Sequence, residues 1–308
     1  MALLDVVMPI FLVIALGRLL RAVRLITSDA DEALSRLVFN VCAPALLFRS
    51  TARAPLDETT DSRTLLVLVL VSIAFALAVY LATGRLEPAR RGVVAQGAHR
   101  SNMVFVGLPV VANAYGEAGL TLSAVIIGVM VVLYNLLAVL LLTLPHQTRS
   151  ARSARLWVDA ALRSARNPLI VACALGMLWS AAGLDLPVSA DRALDLVGRV
   201  ALPVALLSVG AGLELGRLRA ALATTAATSV LKLAVYPGVM WLVLRACGVE
   251  GIALAVPVLL MAAPTAVVSY VMAREMQGDE RLAGAIIIGS TVSSLATYLA
   301  WLAVLQAA

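Results

Sequence analysis

Polar positions along this chain are sparse and clustered, and they divide it into ten apolar runs of about 18–28 residues. The runs cover roughly 3–22, 33–52, 63–84, 91–114, 118–144, 167–183, 190–214, 219–246, 250–274 and 281–306. At 1.5 Å per residue each run can cross a ~30 Å hydrocarbon core as a helix. A second regularity lies over the first. Shifted by 159 positions, Pro9 to Phe48 falls without a gap on Pro168 to Leu207, with twelve identities. They include Pro9/Pro168, the Ala-Leu-Gly triplets ending at Gly17 and Gly176, and Pro44/Pro203. The shared Pro and Gly carry the weight, because any two apolar helices share Leu, Val and Ala by chance.

The chain therefore reads as two copies of one five-helix unit, 1–150 and 167–308, joined by a linker at 151–166. Five is odd, so the second copy enters the membrane from the opposite face. The fold class expected is an all-α membrane protein with ten transmembrane helices in a 5+5 inverted repeat, and internal duplication of this kind marks transporter folds.

Composition agrees. Hydrophobic residues make up 62% and charged residues 14%, with mean hydropathy +0.97, against about 45–50% and about 25% in soluble domains. The first run leads straight into the repeat and is read as part of the fold, not as a cleavable signal. Cys42, Cys173 and Cys247 show no CxxC spacing and read as packing residues. A sequence pI near 9.7 reports basic loops, not nucleic-acid binding.

Loop charge sets an orientation. Loops after helices 1, 3, 5, 7 and 9 hold 15 of the 24 Lys/Arg residues, and loops after even helices hold five. The positive-inside rule makes the odd loops cytoplasmic and both termini extracytoplasmic. The richest loop, His146 to Arg166, reads as a solvated linker beside anionic lipid headgroups and is too short for a regulatory domain.

Candidate chemistry lies where helices are interrupted. Helix 4 reads HRSNMVFVGLPVVANAYG from His99, and helix 9 reads MAAPTAVVSYVMAREMQG from Met261. Aligned on Gly116 and Gly278, the repeat pairs Asn102 with Pro264 at an offset of 162. Pro264 lacks an N–H and forces its helix to kink or open, while Asn102, beside Ser101, can hydrogen-bond locally in place of the ladder. Two helices broken at one depth bring two half-helix N-termini together, a ready site for a carboxylate.

Other polar residues gather around that crossing. Arg100 either faces a substrate anion, holds a carboxylate such as Glu214, or snorkels to the cytoplasmic face. Asn40, four before Pro44, lines the cavity or satisfies a carbonyl freed by that proline. Lys232, the single lysine, is a coupling or gating charge or a snorkelling one. Thr265 follows the helix 9 break. Ser290, Ser293, Ser294 and Thr297 of helix 10 share one face, where small hydroxyls either line the site or let helices pack. Pro44, Pro109, Pro203 and Pro264 are the expected helix breaks. Tyr115 and Tyr134 have no special claim.

The run SNMVFVGLPVV followed by YG, the NVCAP segment of helix 2, and AAPTAVVSYVMARE with the Ser/Thr-rich helix 10 resemble the auxin efflux carrier family across nearly the whole chain. That family includes plant auxin carriers and bacterial permeases for malate, malonate and other organic acids. The resemblance implies an architecture like that of bile-acid/sodium symporters and NhaA-type antiporters. Helices 1, 2, 6 and 7 would form a scaffold, often dimeric, and helices 3–5 with 8–10 a transport domain that moves as an elevator. The family's crossover asparagine matches Asn102, and its helix 9 proline matches Pro264. Plant members place a proline before that asparagine, where this chain has Ser101, and carry a longer cytoplasmic loop; Arg100 is like the bacterial members.

The expectation is a secondary transporter for a small organic anion in a bacterial inner membrane, a homodimer among lipids. Asn102 and the half-helix N-termini would hold the carboxylate, with Arg100 supplying charge. No cofactor is expected. A coupling ion, Na+ or H+, is left open, though no Asp or Glu stands at the crossing. An intramembrane enzyme would need a His/Asp or metal cluster, which His99 and His146 do not make. The alternative is a non-transporting sensor or subunit that binds an organic acid.

Overall fold

The computed structural model describes residues 3–53, 62–146, 166–213 and 222–307. Arg149, Arg217, Arg219, Glu214 and all of the 151–166 linker except Arg166 fall outside them. The described residues are helical throughout, with one isolated antiparallel bridge and no strand. In chain order the helices are α1 (Leu3–Ala22), α2 (Ser28–Leu37), α3 (Ala43–Ala52), α4 (Ser62–Ala82), α5 (Pro88–His99) and α6 (Leu108–Thr143). They continue with α7 (Pro168–Ala181), α8 (Val188–Ala211), α9 (Leu222–Val230), α10 (Tyr236–Ala246), α11 (Gly251–Met261), α12 (Val268–Glu275) and α13 (Glu280–Ala307). Among the described residues, five stretches are long and apolar enough to span a membrane: Ser62–Ala82, Met103–Thr143, Val188–Ala211, Leu222–Ala246 and Glu280–Gln306. The protein is a multi-pass membrane protein.

Prolines explain most of the helix divisions. A π turn at Val38–Cys42 joins α2 to α3, another at Met103–Gly107 leads into α6, and a third at Leu231–Val235 joins α9 to α10. Two residues after each stands a proline: Pro44, Pro109 and Pro237. Proline cannot donate to the ladder, and its ring meets the carbonyl one turn back; an extra residue in the preceding turn moves that carbonyl away. Pro203 differs from the expectation. It sits inside an uninterrupted α8, where the loss of one ladder bond is absorbed without a break. Gly116 breaks α6 at φ 57° and ψ −143°, a conformation that favours glycine.

Contacts divide the chain into two compact units. The first contains the described residues within Met1–Ser62, Val104–Val129 and Arg166–Leu213. Here glycines bring helix backbones together. A Cβ on Gly17 of α1 would collide with the Leu207 carbonyl of α8, and one on Gly176 of α7 with the Phe48 carbonyl of α3. The two contacts are related by the 159-residue shift at both ends. Close approach through small residues is the usual basis of helix association in lipid, where hydrophobicity provides no drive. Arg49, in α3, lies 2.9 Å from Asp191 and 3.3 Å from Asp195 in α8, so these charges are spent on each other.

The second unit contains the described residues within Arg63–Met103, Met130–Ala165 and Glu214–Ala308. Its core packs Val79, Val93, Val94, Leu141 and Ile286, and α5 approaches α6 closely because Gly92 lies against the Leu141 carbonyl. Both interrupted segments sit in this unit.

Candidate functional site

Helix α5 ends at His99, and the chain runs extended through Arg100 to Asn102 before the π turn at Met103. Helix α11 ends at Met261 and the chain is non-helical until Val268. The two gaps pair with each other. Ser101 and Thr265 form an antiparallel bridge. The Asn102 N–H donates to the Pro264 carbonyl at 2.7 Å, and the Ala266 N–H donates to the Arg100 carbonyl at 3.0 Å. The side chains reciprocate as well. Thr265 Oγ1 donates to the Gly97 carbonyl at 2.7 Å, and Ser101 Oγ donates to the Met261 carbonyl at 3.1 Å. Each hydroxyl therefore caps the C-terminal end of the other helix, four residues before the partner hydroxyl. Backbone polar groups in hydrocarbon must be satisfied within the protein, and here two helix breaks satisfy each other.

These bonds pair Ser101 with Thr265, 164 residues further on, whereas aligning the glycines sets Asn102 against Pro264 at 162. The same 164 separates Ser72 of α4 from Tyr236 of α10, whose hydroxyls lie 2.6 Å apart. It also separates Tyr134 of α6 from Tyr298 of α13, both buried.

Two basic side chains are buried at this crossing. The Arg100 guanidinium donates to the Tyr134 carbonyl at 2.8 Å and to Asn135 Oδ1 at 2.7 Å, and the residue is 5% exposed. Lys232, in the π turn before α10, is 0% exposed, and its Nζ donates to the Met261 carbonyl. It thus shares an acceptor with Ser101 and sits at the negative end of the α11 dipole. Snorkelling, one of the readings open for each residue, is not what either does. Among the described residues no carboxylate pairs with either cation, and both keep neutral partners.

Asn102 is 5% exposed, and its side-chain amide has no hydrogen-bond partner among the described residues. The local side-chain bond expected of it is absent because its backbone N–H is satisfied across the break by Pro264. Ser269, in the first turn of α12 and 2% exposed, also has a hydroxyl without a partner. Ser290 accepts from the Thr265 N–H at 3.1 Å and so braces the bridge from α13. Ser294 spends its hydrogen on the Thr291 carbonyl of its own helix. Asn40 belongs to the first unit, is exposed, and donates to the Arg36 carbonyl at 2.8 Å. The carbonyl it serves is one turn back, not one freed by Pro44. Glu214 lies outside the described residues.

Sequence reasoning missed the aromatic pair in the crossing. Tyr134 is 2% exposed, with its hydroxyl 3.1 Å from that of Tyr236 and 3.0 Å from Met261 Sδ. A T-shaped contact at 5.6 Å places its ring against His99. The signal was present: Tyr134 and Tyr298 coincide under the 164 shift, and Tyr236 precedes a proline in a broken helix.

The fold and the site define a multi-pass helical membrane protein built around two interrupted helices whose breaks are hydrogen-bonded to each other. The family model described as Membrane transport protein matches residues 2–302, and the chain belongs to that family, the auxin efflux carrier family to which its motifs point. It is 26% identical over 304 residues to an "Uncharacterized transporter" of Methanothermobacter thermautotrophicus, covering 98% of each chain. It is 25% identical over 305 residues to a "Putative malonate transporter" of Rhizobium meliloti, covering 95% of this chain and 92% of that one. The family and these relatives are transporters and not enzymes.

Proposed function

We propose that this protein is a secondary transporter that carries small organic anions, mono- or dicarboxylates, across the membrane, binding them at the Ser101–Thr265 crossing. One observation carries the reading: Arg100 and Lys232 are buried close to Asn102, and among the described residues no carboxylate stands opposite them and nothing pairs with the Asn102 amide. An uncompensated buried charge is costly, the more so within a membrane. An anionic cargo provides the missing counter-charge, and it explains why two cations persist where apolar residues would pack.

The rest of the arrangement fits an anion. The π turn at Met103 and helix α12 both begin at the crossing, and helix N-termini present N–H groups without intrahelical partners. Asn102 and Ser269 add side-chain donors at those two starts. The half-helix C-termini, by contrast, are capped by Ser101, Thr265 and Lys232. The printed name of the Rhizobium meliloti relative points the same way.

Movement follows the elevator scheme. Helices 1, 2, 6 and 7 form a scaffold through which two copies dimerise, and the broken helices travel with helices 3, 5, 8 and 10. The ten helices make a 5+5 inverted repeat, with both termini outside a bacterial inner membrane. The contact division agrees with the scaffold grouping in part: it sets α1–α3 with α7 and α8, and α4 and α5 with α9–α13. Residues 104–129 group with the first set, so the boundary runs through helices 4 and 5.

The test is flux in proteoliposomes. Purified protein should exchange labelled malonate, succinate or acetate across the bilayer, and Asn102→Ala should slow that exchange at least tenfold. Tight binding without flux would favour a sensor, and preference for a cation or a neutral sugar would refute the anion site.

A further inference from the structure

His99 is a buried titratable group to which the anion site gives no task. The residue is 0% exposed, and its Nδ1 lies 2.7 Å from the Ala95 carbonyl. A carbonyl only accepts, so Nδ1 carries a hydrogen. In the neutral ring the lone pair is then on Nε2, and Nε2 has no partner among the described residues. Buried polar atoms are nearly always paired, and an orphan calls for an explanation. Packing is not one, since a leucine or methionine fills such a place without the orphan.

The surroundings are positive. Arg100 follows in the chain, Lys232 reaches the crossing from the π turn before α10, and the hydroxyls of Tyr134 and Tyr236 complete the cluster. Among the described side chains of the packed elements, the acidic residues are elsewhere. Asp279 is tied to the opposite end of α5, where its N–H meets the Ala89 carbonyl and its carboxylate lies 3.6 Å from Arg90. Glu280 of α13 pairs with Arg274 of α12. Among the described residues a third positive charge on the ring has no counter-charge at the crossing, whereas an anionic cargo brings one.

We infer that the cargo travels with a proton, and that Nε2 of His99 is where the proton is held. This rests on the anion-transport reading. The step is a proton transfer alone: an N–H bond forms at Nε2 with a proton from water on the loading side and breaks on the releasing side, returning the proton to water. Anion and proton then favour each other's binding by one common factor, as linkage requires. The cargo thereby lowers the net charge carried through the membrane.

The chain's two histidines make this directly observable. In His146→Gln protein, His99 is the single imidazole, and its nitrogen NMR signals separate neutral ring from imidazolium. Titrating malonate, as probe, at constant pH should convert His99 toward imidazolium, with up to one proton taken up per malonate bound. In wild-type liposomes an inward malonate gradient should acidify the lumen beyond protein-free controls, and His99→Gln should abolish the excess. If malonate binds, seen as a rise in thermal stability, while the ring stays neutral and lumen pH does not move, the proton site is refuted and the anion site stands. If malonate, succinate and acetate neither bind nor cross, the anion reading fails and the proton site with it.

Discussion

Replacing Thr265 by valine and Ser101 by alanine, singly and together, tests whether the crossing is held by its reciprocal hydroxyl bonds. Valine keeps the shape of threonine and removes only the donor to the Gly97 carbonyl. Leaving a buried carbonyl unpaired costs about 1–3 kcal/mol in soluble proteins, and interhelical bonds in membranes average ~0.6 and reach ~1.7 kcal/mol. Thr265→Val is therefore expected to cost about 1–1.5 kcal/mol. Ser101→Ala removes the matching bond to Met261, but that carbonyl keeps the Lys232 ammonium as a second donor. Its cost should be about 0.5 kcal/mol. The order, valine variant less stable than alanine variant, follows from Lys232 alone. In a Lys232→Met background the two costs should become similar. The assay is reversible unfolding of purified protein in mixed micelles with rising SDS, followed by circular dichroism. A Ser101→Ala cost equal to or above that of Thr265→Val in the wild-type background would refute the reasoning. So would an unchanged gap in the Lys232→Met background.

Lys232→Met removes a buried charge that no carboxylate balances, so the empty protein should be as stable as wild type or more so, while malonate affinity falls; thermal unfolding with and without malonate separates the two. Asn102→Ala should weaken malonate binding by about 10- to 100-fold, the value of a hydrogen bond to a charged group at about 1.5–3 kcal/mol, measured by calorimetry. Gly17→Ala and Gly176→Ala each drive a methyl into a facing backbone carbonyl and should cost about 1–3 kcal/mol. Gly116→Ala has open space and only the strain of a backbone conformation nearly exclusive to glycine, and should cost about 1–3 kcal/mol in the same unfolding assay.

How much was legible in the sequence depended on whether the signal was local. Pro264 lacks an N–H and stands opposite Asn102 in the sequence alignment of the two halves, and that pairing let a break be read without coordinates. Pro203 could not be judged in the same way: a lone proline inside a helix loses one bond, and only the neighbouring turns decide whether the chain opens. Asn102 was found by its position opposite Pro264, but its mode of satisfaction was not. That mode depends on a strand-like bridge between residues 164 apart, which no local propensity encodes. Lys232 was ambiguous for a related reason. From sequence a lysine in an apolar run can either snorkel or remain buried, and the choice rests on whether an acceptor such as the Met261 carbonyl waits within reach. Tyr134 was passed over because an aromatic in a membrane helix is ordinary until its hydroxyl is seen among three partners.

The 164 shift separates what builds the crossing from what gives it chemistry. Ser101 and Thr265 are both hydroxyl residues, and Tyr134 and Tyr298 are both tyrosines. Ser72 and Tyr236, themselves counterparts at 164, are bonded to each other. Ser101 and Thr265 keep hydrogen-bonding character because each serves a backbone carbonyl of the other's segment. The charged and titratable positions behave oppositely. Under the same shift Arg100 meets Pro264, His99 meets Ala263, Asn102 meets Ala266, Asn135 meets Leu299, and Lys232 meets Leu68. Every group assigned to the anion or its proton thus has an apolar counterpart. A symmetric pair of cations would have doubled the buried charge without doubling the cargo, and each unpaired charge is expensive in a membrane. One copy of each chemical group gives the proposed site a single orientation.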